Sequence, residues 1–141
     1  MINAIFHAHS GIRYLILLAG VVALVLLAMG AFGNRPYDKR SRVAMAVFTG
    51  LLDLQVVLGV LMAILGCFYP ALFGHLLMML LAAAAAHACS LYARRQTDAK
   101  RAHTISLAGV VLALVLLVGG IAAIQRSPLG STGRPTCAAA R

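Results

Sequence analysis

Four apolar stretches, each about 20 residues long, constrain this chain more than any other feature of its sequence. Their approximate bounds are 12–32, 44–66, 73–92 and 104–124. Twenty helical residues rise about 30 Å, which is the thickness of the hydrocarbon core of a bilayer. Short connections between consecutive spans favour antiparallel neighbours. The sequence therefore predicts an all-α fold over residues 1–125: an integral membrane, up-down four-helix bundle.

The composition of the 141-residue chain supports this prediction. Hydrophobic residues make up 62% of the chain, charged residues 11%, and the mean hydropathy is +0.96. A soluble domain of this size has too little interior to hide so much apolar surface. The first span is too long for a signal peptide, and three more spans follow it, so we expect a retained helix.

The basic residues are concentrated in two of the three connections between spans. These residues are Arg35, Lys39, Arg40 and Arg42 in the first connection, and Arg94, Arg95, Lys100 and Arg101 in the third. The connection at 67–72 carries no charge. The positive-inside rule places both basic loops in the cytoplasm and both termini outside. The net charge of +9 therefore reflects topology, and we expect the lipid bilayer rather than nucleic acid as the partner.

The remaining segments carry little functional signal. The tail, 126–141, is rich in Pro, Gly and Ser and is expected to be disordered. Cys67, Cys89 and Cys137 have no CxxC spacing, so no zinc or thiol-redox motif is present, and a pairing of Cys67 with Cys137 stays open. Thr97 is the expected N-cap of the fourth helix.

Two histidines lie at the same expected depth in different spans. His9 is at the start of the first span and His75 lies just inside the third. Two neutral imidazoles that face each other across a bundle can ligate the iron of haem b, which needs no covalent attachment motif. Arg13 is four residues from His9 and shares its helix face, and its fork of donors suits a haem propionate or another anion. A simpler interpretation is that both histidines only bond to carbonyls or water.

Asp53 is the only acidic residue inside a span. His87, in the next span, lies at a similar depth, and an Asp–His pair would reduce the cost of placing either residue in the membrane. Such a pair would either handle protons or fix the packing of the second and third spans. Gln55 is assigned to the same layer, as a packing or hydrogen-bonding residue.

Four short motifs resemble a family of small bacterial four-helix membrane proteins that are often labelled cytochrome b or cytochrome-b-like. They are His9-Ser10-Gly11-Ile12-Arg13-Tyr14, Asp53-Leu54-Gln55 with Gly59, His75 ahead of Met78 and Met79, and Thr97-Asp98 in the basic loop. The resemblance covers roughly residues 5–125. Asp53 stands where the family has a histidine, and His87 has no counterpart in the family pattern.

The resemblance implies a bacterial inner-membrane electron carrier, rather than an enzyme, with haem b on His9 and His75. A quinone or a larger respiratory complex would be its redox partner. Two alternatives stay open: a cofactor-free accessory or assembly subunit of a larger membrane complex, and a small proton pathway built on Asp53. The sequence also leaves open a homo-oligomer.

Overall fold

Four α-helices make up the regular secondary structure of the described residues in this computed structural model, 2–67 and 70–130. They are α1 (Ile2–Phe32), α2 (Lys39–Ile64), α3 (Pro70–Arg94) and α4 (Ala99–Ala123). Each helix is long and apolar enough to cross a membrane, as expected of a multi-pass membrane protein. Cys137 and most of the tail lie outside the described residues.

The helices form a four-membered ring in chain order. α1 packs against α2 and α4, α3 packs against α2 and α4, and α1 and α3 stand diagonally opposite. α3 and α4 are the most closely packed pair, and α2 and α3 are the least closely packed neighbours. Glycine allows the closest approaches, because a Cβ on Gly109 would overlap Cys89 and a Cβ on Gly30 would overlap the ring of His103.

The interior and the exterior of the bundle are both apolar. Ile16, Phe48, Leu52 and Leu117 fill the centre and are fully or almost fully buried. Large side chains such as Leu18 also cover the outer faces. Helices that are apolar on all sides are typical of membrane spans. The interior alone cannot account for the apolar content of the chain.

Aspartates are the N-caps of α2 and α4, and one of them differs from the predicted cap. Asp38 is the N-cap of α2, and its carboxylate accepts hydrogen bonds from the backbone N–H groups of Arg40 and Ser41. The N-cap of α4 is Asp98, whose carboxylate accepts from the N–H of Lys100, so the prediction of Thr97 was wrong by one residue. The first loop, 33–38, and the last, 95–98, lie at one end of the bundle, here called the basic end; the opposite end, with 65–67, is the termini end.

Candidate functional site

A cavity opens in the centre of the bundle near the termini end, and all four helices contribute to its wall. Its lining combines polar and apolar side chains, among them His9, Arg13, Gln55, His75, Met79 and Leu117. We call it the His9–His75 cavity. The open space between the side chains is about 100 Å³. An apolar cavity of about 150 Å³ holds one benzene molecule, so this space has room for a few waters or a small group.

His9 and His75 meet across the diagonal of the bundle. Their ring centroids are 6.4 Å apart, and the ring planes are nearly perpendicular, at 76°. α1 begins at Ile2, well before the apolar span, so His9 belongs to the helix. Its side chain points to the centre of the bundle, where it meets His75. The structure therefore brings together the two histidines that the sequence placed at one depth.

The proton position on His75 follows from its partner. Nδ1 of His75 lies 2.8 Å from the carbonyl oxygen of Gly120, which can only accept, so Nδ1 carries the proton. This carbonyl is available because the N–H of Ile124 bonds to Ile121 at the end of α4 instead of closing another helical turn. The neutral ring then has a lone pair on Nε2.

His9 is held by a residue of α2. Nε2 of His9 lies 3.3 Å from the side-chain amide of Gln55. Nδ1 of His9 and Oε1 of Gln55 are buried and have no hydrogen-bond partner in the described part of the chain. With the amide of Gln55 turned so that its oxygen faces the ring, Gln55 accepts from Nε2–H of His9, and the lone pair of the neutral ring lies on Nδ1.

Arg13 closes the termini end of the cavity. Its guanidinium donates to the carbonyl oxygens of Ser127, at 3.3 Å, and Gly130, at 2.8 Å, and to the hydroxyl of Tyr14. Its Nε is buried with no hydrogen-bond partner among the described residues. The guanidinium of Arg13, which was expected to bind a haem propionate, thus donates hydrogen bonds to the segment that follows α4.

Asp53 and His87 form a pair away from this cavity. Nε2 of His87 lies 2.9 Å from both carboxylate oxygens of Asp53, and each side chain is about half exposed on the outer face of α2 and α3. Gln55 does not contact this pair and instead meets His9. Two helical residues correspond to about 200° of rotation, so Gln55 points into the bundle where Asp53 points outward.

A second buried histidine, at the basic end, had no assigned role from sequence. His103 is 1% exposed; its Nδ1–H donates to the carbonyl oxygen of Ala99, and its Nε2 lies 3.0 Å from Oγ of Ser41. The ring of Tyr37 packs edge-on at 5.0 Å, and its hydroxyl pairs with Ser106. Both ring nitrogens of His103 are therefore satisfied by the chain itself, unlike those of His9 and His75. No sequence pattern signals this network.

Comparison with known proteins neither supports nor contradicts the family resemblance, which stays a prediction. No protein-family model, no curated protein and no solved structure matches this chain. The described residues contain no group of three or more His, Cys, Asp or Glu side chains that could hold a metal ion.

Proposed function

We propose that this chain is a membrane electron-transfer protein that binds haem b between α1 and α3, with His9 and His75 as axial ligands. The basic end would lie in the cytoplasm and both termini outside, in a bacterial inner membrane. A quinone or a larger respiratory complex would exchange electrons with it. The observation that carries the proposal is the meeting of a buried imidazole, His75, and a partly buried one, His9, across the bundle, 6.4 Å apart between centroids.

The distance and the protonation of the rings support this ligand pair. Metal–imidazole bonds are about 2 Å long, so two rings with centroids about 6 Å apart are close enough that both would hold one metal ion. A metal-ligating histidine usually donates its other N–H to a backbone carbonyl or another acceptor, as His75 does to Gly120. Gln55 offers the corresponding partner to His9. Haem contains the remaining four donors that the protein does not supply.

The residues of the chain would hold and shield the group. Haem supplies one-electron chemistry, while Met79 and Leu117 exclude water and keep the local dielectric low. Arg13 lines the cavity and would bind a propionate in place of the carbonyl oxygens of Ser127 and Gly130. A space of about 100 Å³ must widen before a porphyrin enters, so loading requires movement at the termini end.

The narrow cavity favours a second candidate, a cofactor-free accessory subunit of a larger membrane complex. In that case the histidines and Gln55 form a polar cluster that includes a few waters, and Arg13 keeps its present partners. The third possibility, a proton pathway on Asp53, has less support, because Asp53 lies on the outer face and not in the cavity.

An absorption spectrum separates these candidates. The full chain, expressed with ample haem supply and purified in mild detergent, should show a Soret band that shifts on reduction with dithionite. His75→Ala should abolish the band. His7→Ala is the matched control, because His7 is exposed on the same helix, and it should retain the band. A colourless wild-type protein that takes up no added haem would refute the haem proposal and leave the accessory subunit.

A further inference from the structure

The Asp53–His87 pair occupies an unusual place for ionisable side chains in a membrane bundle. Asp53 lies at the middle of α2, and His87 lies seven residues, or about 10 Å, before the end of α3 at Arg94. Both residues therefore lie within the apolar parts of their helices and not at a helix end. The side chains are 48% and 46% exposed, so they face the surroundings of the bundle and not its interior.

Lipid chains cannot satisfy such a pair. Ionisable residues within membrane spans almost always face a bundle interior or a water-filled cavity, because hydrocarbon offers no hydrogen bonds. His87 uses Nε2 for Asp53, and its Nδ1 has no hydrogen-bond partner among the described residues. The carboxylate retains lone pairs beyond those used by one N–H donor. The exposed pair therefore requires a polar partner within the membrane.

A second copy of the same chain supplies the complementary groups. We infer that two copies associate side by side through the outward faces of α2 and α3, with the Asp53–His87 pairs at the centre of the interface. Copies inserted in the same orientation are related by a two-fold axis along the membrane normal, so the pairs meet at one depth. When both ring nitrogens of His87 carry protons, its pair with the Asp53 carboxylate is neutral overall and presents one N–H donor and free acceptor lone pairs. His87 Nδ1–H of each copy then donates to the partner's Asp53.

Small residues on the same faces allow the copies to approach. Gly50 precedes Asp53 by three residues and Ala84 precedes His87 by three, so each lies on the face of the residue that it precedes. Both are exposed, and no described atom outside the helix backbone lies within 4 Å of a Cβ built on Gly50. Ala46 extends the small-residue face of α2 by one turn. Such faces are typical of helix–helix contacts in membranes.

The basic end sets a limit on this contact. Arg42 and Arg94 lie on the same side of α2 and α3, near the membrane boundary. Like charges from two copies would repel, but these long side chains reach water, where the repulsion is screened over about 8 Å. We therefore place the closest contact at mid-depth, with the copies diverging towards the basic end.

Dilution in lipid vesicles tests the inference. Full-length copies with donor or acceptor fluorophores at their N-termini are reconstituted over a range of protein-to-lipid ratios. Energy transfer should report a dimer in the wild type. The double variant Asp53→Leu/His87→Leu should need at least a tenfold higher protein-to-lipid ratio for the same dimer fraction. Leucine side chains are stable in contact with lipid and need no polar partner. Circular dichroism checks that the variant keeps its helical content.

Cross-linking locates the interface. Gly50→Cys should give a dimer with a bismaleimide in native membranes, whereas Val111→Cys, on the exposed face of α4, is the matched control and should give none beyond the wild-type background. A monomeric wild type, a leucine variant that dimerises equally well, or a Gly50→Cys adduct only with a different protein would each overturn the inference. Haem binding enters none of these measurements, so the result is independent of the proposed function.

Discussion

The hydrogen-bond partners distinguish three histidines of this chain: His75 and His103, which are buried, and His9, which is partly buried. His103 has both ring nitrogens bonded within its own bundle, which is sufficient to explain its burial by structure alone. His75 has one nitrogen fixed by Gly120, and His9 shares one weak contact with Gln55. Burying polar atoms without partners is costly, so the His9–His75 cavity is where an additional ligand or water is needed.

Gln55 offers a test of the proposed role of His9 because its side-chain amide contacts the His9 ring. Gln55→Leu removes the amide that orients the ring while keeping a side chain of similar size. Loss of such a supporting partner typically costs 10- to 100-fold in metal affinity. We expect a loss of that order in a haem titration, with the Soret maximum retained at saturation. Leu54→Ala, on the exposed face one residue away, should leave the affinity unchanged.

Asp38 provides a pH-dependent prediction outside the membrane spans. The backbone N–H of Ser41, with that of Arg40, donates to the Asp38 carboxylate and lowers the pKa of this carboxyl below its ordinary value. A lowered pKa means that the cap stabilises α2 above the unfolded-state pKa and loses its effect as the pH falls through the folded-state value. Asp38→Ala should therefore be less stable than wild type at neutral pH, and the difference should disappear in acid.

The measurement is unfolding of the detergent-solubilised bundle at a series of pH values. Asp38→Asn is the control, since asparagine also caps helices but does not titrate. A destabilisation by alanine that stays constant down to the acid limit would contradict this role of the carboxylate.

Hydropathy was sufficient to predict the helices but not their rotation about their own axes. The thickness of a bilayer sets the length of an apolar span, so all four helices could be read from the sequence. These helices are apolar on every side, and an apolar face therefore does not mark the interior. For this reason the sequence placed Asp53 and His87 at similar depth but did not show that the pair faces outward, nor that Gln55 points to His9.

Helix packing gives a prediction at the contact of α1 with α4. Gly30→Ala places a methyl group against the buried ring of His103, which is itself held by Ser41 and Ala99. Overpacking of this kind costs about 1–3 kcal/mol. Chemical unfolding in detergent should show a loss of that size. Gly119→Ala, in α4 with open space around its Cβ, should be neutral or slightly stabilising, because alanine favours the helix.

At the scale of the whole molecule, the two ends of the bundle differ in their number of positive charges. The loops 33–38 and 95–98 and the adjoining helix turns carry eight cations, whereas the described part of the opposite connection carries none. Four spans place both termini on the same side of the membrane. The His9–His75 cavity then opens on the side of the termini, and His103 lies on the side of the cations. Electron partners of the proposed haem would approach from the less charged end.

Labelling of single introduced cysteines tests this orientation. In right-side-out bacterial vesicles, a membrane-impermeant maleimide should label Asn3→Cys, in the first turn of α1, and leave Asn34→Cys, in the first basic loop, unlabelled until the membrane is permeabilised. The reason is that basic loops are retained in the cytoplasm during insertion. The native cysteines are present in both variants, and the unmodified chain measures their background. Labelling of Asn34→Cys in intact vesicles, with Asn3→Cys protected, would mean that the orientation is the reverse and that the proposed haem site lies on the cytoplasmic side. Labelling of both cysteines without permeabilisation would contradict four complete spans.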